Sequence, residues 1–238
     1  MEHYVTAIKA LLTPAPGLQL YAMALPDELF HAQANYPWLS EEDLNSALAM
    51  TSTKRRAQFA GGRLLLREAL LRTHGAAAAR WRIQAANGGA PRLIAGNARA
   101  PVVSLSHSGK VALCGVAQGG ALGVDVERCL PRRCGWAALA ARALHPSERA
   151  RLEALPEPAR WRGFYQAWTL KEALAKALGI GLALPFDELA FSSDCRIEAA
   201  PHGFGVTGTH WRFSMADVGR ESVAAVAWSA GLGMPYDG

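Results

Sequence analysis

Apolar residues recur at helical spacing in two long stretches of the chain and alternate with polar ones in several shorter stretches between them. From Lys54 to Arg72, Phe59, Leu64, Leu66, Leu70 and Leu71 fall near helical spacing, and Gly75 supplies a stop. A shorter helix over about 41–50 precedes this one, with Ser40 as N-cap and Glu41, Glu42 and Asp43 where the helix dipole favours acids. Gly61-Gly62 weakens the longer helix by about 1 kcal/mol per glycine relative to alanine. Close packing, or a ligand approaching the backbone, would account for the pair.

From residue 81 the period changes. Segments 81–84 and 91–94 flank Asn87-Gly88-Gly89, which predicts two strands joined by a turn. Segments 102–106, 111–117 and 121–127 read as three further strands. Helices then return. Pro146 stands at an early helical position, where its missing donor does no harm, and a longer helix over about 159–178 ends at Gly179. The tail alternates again at 210–214 and 222–228. The order is helices then strands, followed by a strand, helices and strands. Arg67-Glu68-Ala69-Leu70 and Lys171-Glu172-Ala173-Leu174 occupy similar places in the two series. The fold expected is α+β, built from two similar α+β halves, residues 1–120 and 121–238.

Composition narrows the function. The chain has 238 residues, half of them apolar and 19% charged, which is ordinary for a folded soluble protein. No apolar run approaches the roughly 20 residues that span a bilayer. The start, Met1-Glu2-His3-Tyr4, has no basic region ahead of an apolar core, so it does not read as a signal peptide, and a cytoplasmic location is expected. Cys114, Cys129, Cys134 and Cys195 form no zinc-like spacing. Cys114 reads as a buried core thiol, and Cys129 and Cys134 as free thiols in a reducing compartment. The net charge of +5 is concentrated at Lys54-Arg55-Arg56, Arg63, Arg67 and Arg72, which suggests an acidic partner or an anionic ligand. Aromatic residues are not interleaved with these cations, and no zinc-finger or RNA-recognition signature is present, which argues against nucleic acid.

Three features carry candidate chemistry. On a strand, Asp125 and Glu127 project to one face about 7 Å apart, while Val124 and Val126 turn to the core. Two hard oxygen ligands so placed suit Mg²⁺; taken alone, they read more simply as solvated acids at a strand end. Trp168, Glu172 and Lys176 are four apart on one helix face, and Glu172 with Lys176 is by itself a plain surface ion pair. In a functional reading Glu172 is a third carboxylate near a metal and Lys176 a cation for phosphate. Third, Ser104-Leu105-Ser106-His107-Ser108-Gly109 suits an anion-binding turn with backbone donors facing phosphate. There is no GxSxG elbow or Walker A sequence, and no GxGxxG fingerprint follows a strand.

Together, Lys54–Arg63, Ser104–Gly109, Gly123–Glu127, Leu144-His145-Pro146-Ser147-Glu148 and Trp168–Lys176, with Gly179–Leu182 trailing, resemble the 4'-phosphopantetheinyl transferases. The resemblance is to the larger, single-chain type serving carrier proteins of secondary metabolism and siderophore assembly. It implies halves related by a pseudo-two-fold, with coenzyme A in the cleft between them. It also implies that Asp125, Glu127 and Glu172 bind Mg²⁺ with the diphosphate, and that Ser106 and His107 meet the cofactor phosphates. Lys176 then contacts the diphosphate, Arg56 and Arg63 the 3'-phosphate end, and Trp168 anchors its helix by packing. The expected reaction moves phosphopantetheine from coenzyme A to a serine of an acidic apo carrier protein, of the fatty-acid, polyketide or nonribosomal-peptide kind, in a monomeric enzyme with Glu172 as base. Many members have Gly-Lys-Pro where this chain has Gly89-Ala90-Pro91, so no phosphate-binding lysine carries over to Ala90; Arg92 would point away from Pro91. A phosphohydrolase using the same acids, and a basic binding module whose carboxylates are structural, are the competing readings.

Overall fold

A computed structural model of the chain describes residues 8–26, 29–30, 35–84, 91–95, 100–131, 135–206 and 211–229. The chain is mixed α+β and divides into two compact units, Met1–Gln118 and Gly119–Gly238.

The first unit opens with two strands, β1 (Ile8–Ala15) and β2 (Leu18–Ala24), ahead of helices α1 (Glu41–Ala49) and α2 (Thr53–His74). Strands β3 (Trp81–Gln84), β4 (Arg92–Ala95), β5 (Val102–Ser108) and β6 (Val111–Ala117) follow. Among the described residues the unit therefore begins with strands, not with helices as the apolar pattern suggests. Pro14 and two register shifts break the alternation of β1, and β2 is buried on nearly every residue, so neither shows period two. An antiparallel sheet in the order β1-β2-β6-β5 carries α2 against it. Leu64, Leu65, Leu66 and Leu70 of the helix pack with Met23, Leu25, Ala112, Cys114 and Val116. Leu71, expected on the same face, is 52% exposed. β3 and β4 pair as expected; the turn at Asn87-Gly88-Gly89, and Ala90, lie outside the described residues.

Gly61 owes its identity to packing. A Cβ there would come 2.2 Å from Leu25 Cδ2 and 2.8 Å from Leu29 Cδ2, whereas Gly62 has ordinary room. Ser40 caps α1 as expected, accepting from Asp43 N at 3.1 Å, and the Asp43 carboxylate accepts in return from Ser40 N.

The second unit contains β7 (Ala121–Arg128), α3 (Trp136–Ala143), α4 (Pro146–Glu153), α5 (Glu157–Leu178), β8 (Ala190–Phe191), β9 (Ile197–Ala199), β10 (Arg212–Val218) and β11 (Ser222–Ser229). β10, β11 and β7 form an antiparallel sheet in that order. α5 ends at Gly179, whose φ of 71° places it in the left-handed region that closes a helix. Trp168 stacks on Phe164 at 6.1 Å and meets Phe186 edge-on at 5.3 Å, so it anchors the helix by packing. Of the cysteines described, Cys114 is fully buried, which pushes its thiol pKa up, and Cys129 and Cys195 are also free thiols. Cys134 lies outside the described residues.

Lys171 and Glu148 are both completely buried. The Lys171 ammonium donates to the Glu148 carboxylate and, at 2.8 Å each, to the carbonyls of Ala143 and Phe186. Glu148 also accepts from His145 N at 3.1 Å, closing the first turn of α4, and from Phe191 N at 2.9 Å. Burial pulls the Lys171 pKa down, and the Glu148 charge works against that. Lys171→Met strands a buried carboxylate, and should cost about 3–5 kcal/mol in chemical or thermal unfolding.

Candidate functional site

The second unit brings four of the chemistry-bearing residues together. Gly123, Asp125 and Glu127 alternate with buried Val124 and Val126 along β7. The Gly123 side of the strand faces α5, because a Cβ at 123 would lie 1.9 Å from Ala173 O and 2.5 Å from Ala177 N. Only glycine lets the helix backbone seat there. Asp125 follows on that side, and its Oδ1 accepts from Lys176 Nζ at 2.8 Å; Lys176 also donates to Val124 O at 3.1 Å. Asp125 is 4% exposed, so it is not a solvated strand-end acid, and Lys176 reaches across to the strand. Glu127, nearer the strand end, is half-buried.

Glu172 lies one turn before Lys176 on the helix. Burial raises its carboxyl pKa, and the charges of Asp125 and Glu127 raise it further, while Lys176 opposes them. Three carboxylates and one ammonium thus act on one another through a partly desolvated region. Among the described residues no three acidic, histidine or cysteine side chains enclose a common point as a metal cage does. The donor set is nonetheless of the hard-oxygen kind that Mg²⁺ takes, and Mg²⁺ usually completes its shell with waters and substrate phosphates instead of an all-protein cage.

The first unit holds the other candidates. Ser106 and His107 are not in a turn: β5 continues to Ser108, and they pair with Leu113 and Ala112 of β6. The turn is at Gly109-Lys110, where Gly109 has a φ of 56° and its carbonyl accepts from Gln58 Nε2 of α2. Successive strand residues point to opposite faces, and here Ser106 is buried while His107 is exposed. The arginines of α2 are heavily used within the unit. Arg56 Nε donates to Met50 O at 2.7 Å and Arg67 Nε to Trp38 O. Arg72 binds Glu68 and Ile8 O. Arg63 is 6% exposed, donates to Asp43 Oδ1 at 2.7 Å and lies over the Phe59 ring. Much of the apparent basic patch therefore ties α2 to its neighbours. Sequence pattern alone assigns Lys171 and Glu148 no chemical role; their joint burial reveals them, and Glu148 at the third position after the N-cap His145 was the available signal, as a capping acid.

Comparison with known proteins bears on the same segment: residues 121–227 match a family model. It is that of the 4'-phosphopantetheinyl transferase superfamily. The slr0495 protein of Synechocystis sp., whose name assigns it to the 4'-phosphopantetheinyl transferases, is 35% identical over 152 residues, covering 59% of this chain and 58% of its own. The 4'-phosphopantetheinyl transferase HetI of Nostoc sp. is 32% identical over 146 residues, 61% of each chain. A 4'-phosphopantetheinyl transferase of Bacillus subtilis is 33% identical over 87 residues, 37% of each. The matches to the first two thus span about six-tenths of those relatives' lengths.

Two outcomes test the site. Gly123→Ala drives a methyl group into the α5 backbone, and should lower stability by about 1–3 kcal/mol in thermal unfolding, as overpacking does. A carboxyl whose folded pKa is raised stabilises the fold relative to its ionised form at low pH, and that advantage is lost as pH rises through the folded value. Without added metal, Glu172→Gln should therefore have a higher Tm than the parent at pH 7–8. The difference should fade as pH drops through the raised Glu172 value towards the ordinary carboxylate pKa near 4.5.

Proposed function

We propose that the chain transfers the 4'-phosphopantetheine group of coenzyme A to a serine hydroxyl of an acidic apo carrier protein, releasing 3',5'-ADP. The observation that carries this reading is the gathering of Asp125, Glu127, Glu172 and Lys176 by β7 and α5, inside the segment that matches the superfamily.

Asp125, Glu127 and Glu172 are the residues that would hold Mg²⁺, which when bound offsets the charge of the diphosphate. Glu172, directly or through water, takes the proton of the serine hydroxyl. The serine oxygen forms a bond to the β-phosphorus as the bond from that phosphorus to the bridging oxygen breaks, and 3',5'-ADP leaves with the electron pair. Lys176, held beside Asp125, donates to the diphosphate and stabilises the charge that develops on the leaving oxygen. Ser106 and His107 serve the phosphates, and Arg56 and Arg63 the 3'-phosphate end. Arg63 does so from a guanidinium braced by Asp43 and Phe59.

The same reading takes the two units as similar halves. In support, Arg67-Glu68-Ala69-Leu70 and Lys171-Glu172-Ala173-Leu174 stand at the same place in two 22-residue helices. The net charge of +5 suits an acidic carrier by steering its approach, and the setting is cytoplasmic. The larger single-chain type, acting as a monomer, is the group proposed.

Incubating the protein with apo carrier protein, coenzyme A and Mg²⁺, and reading intact mass, should show the carrier gaining one phosphopantetheine group. Glu172→Gln should abolish the gain while the chain stays folded. Unchanged mass across several carriers would overturn the activity, and transfer surviving in Glu172→Gln would overturn the role given to that residue.

A further inference from the structure

We infer that Lys171 and Glu148 form a positioning pair, whose buried bonds set the rotation of α5 that turns Glu172 and Lys176 towards Asp125. The inference rests on the reading of that site as the phosphopantetheine-transfer centre.

Lys171 is the immediate neighbour of Glu172, so the two side chains leave the helix roughly 100° apart, and fixing one fixes the other. All three protons of the Lys171 ammonium are used, by acceptors from three separate segments: Ala143 at the end of α3, Glu148 on α4, and Phe186 beyond α5. Glu148 is held in turn by His145 N and by Phe191 N of β8. Neither side chain is exposed at all. Rolling α5 about its axis would leave a buried charge without acceptors, which is far costlier than letting apolar side chains slide.

The β7 side of the helix is set differently. Gly123 lets the helix backbone at Ala173 and Ala177 come close but offers no side chain to grip it, and the Lys176–Asp125 bond belongs to the groups proposed to act on the substrate. A framework independent of the reacting groups is needed to orient them, and the Lys171–Glu148 network supplies one. A buried ion pair is often no better for stability than apolar residues of similar volume, which leaves orientation as the function of this one.

The test uses the full chain carrying K171M/E148Q, which removes both charges together, beside E148Q alone, whose single amide oxygen still accepts from Lys171 and His145 N but leaves Phe191 N without an acceptor. Steady-state transfer kinetics are measured below each variant's thermal midpoint, with amide hydrogen exchange read over residues 172–178. In K171M/E148Q, kcat should fall by a factor on the order of 10², the effect of misplacing a reacting group by about 1 Å. The KM for the carrier protein should stay within threefold, and exchange over 172–178 should quicken; E148Q should fall between this and the parent. A kcat within threefold of the parent, or a rise in KM matching the fall in kcat, would overturn the pair's positioning role. Should K171M/E148Q not fold, E148Q alone is measured in the same way, and the same outcomes uphold or overturn the pair. A parent chain that transfers nothing counts against the proposed function alone, and unchanged exchange over 172–178 still overturns the pair.

Discussion

The seat of α5 on β7 at Gly123 is the constraint on which the second unit depends. With Ala173 O 1.9 Å from where a Cβ would stand, helix backbone and strand backbone meet with no side chain between them. That closeness has consequences along both elements. It brings Lys176 within 2.8 Å of Asp125, and it puts Glu172 under the influence of two strand carboxylates. A wider separation would break the Lys176–Asp125 bond and weaken the pull of the strand carboxylates on Glu172.

Bringing like charges together opposes folding, and the unit balances this on the other side of the same helix. The ion pair between Lys171 and Glu148 satisfies every donor of the ammonium and joins α3, α4, α5 and β8 around one buried point. Aromatic packing of Trp161, Phe164, Tyr165 and Trp168 adds directional contacts along the preceding turns. Repulsion at the site is thus borne by a helix whose remaining surface is firmly held, an arrangement in which strained chemistry and a stable scaffold coexist. The first unit shows a related economy in a milder form. Asp43 both closes the cap of α1 and receives Arg63 of α2, so one carboxylate links two helices.

Local pattern carried much of the architecture. The period-two run at 121–127 and the helix ending at Gly179 appear in the structure within two residues of their expected limits, because alternation and a left-handed glycine are local signals. The opening strands escaped for local reasons too. Pro14 and the irregular register of β1 erase its alternation, and β2 is buried on both faces. The stretch Ser104–Gly109 looked like a turn because serine, histidine and glycine favour turns. Pairing with β6 extended the strand expected at 102–106 through His107 and Ser108, since ladder hydrogen bonds outweigh that preference.

By itself, the sequence determined the α+β character, the acids and the lysine of the candidate site, and the family they resemble, since each depends on residue identity and short-range spacing. Only the tertiary structure decided what those residues touch. Asp125 is buried against Lys176 instead of solvated, Arg63 is engaged by Asp43, and Lys171 forms an internal ion pair with Glu148. Lys171 and Glu148 are 23 residues apart, and Lys176 and Asp125 are 51 apart. Separations of that size carry no periodic signature, because burial and charge pairing over such distances exist only once the elements have packed.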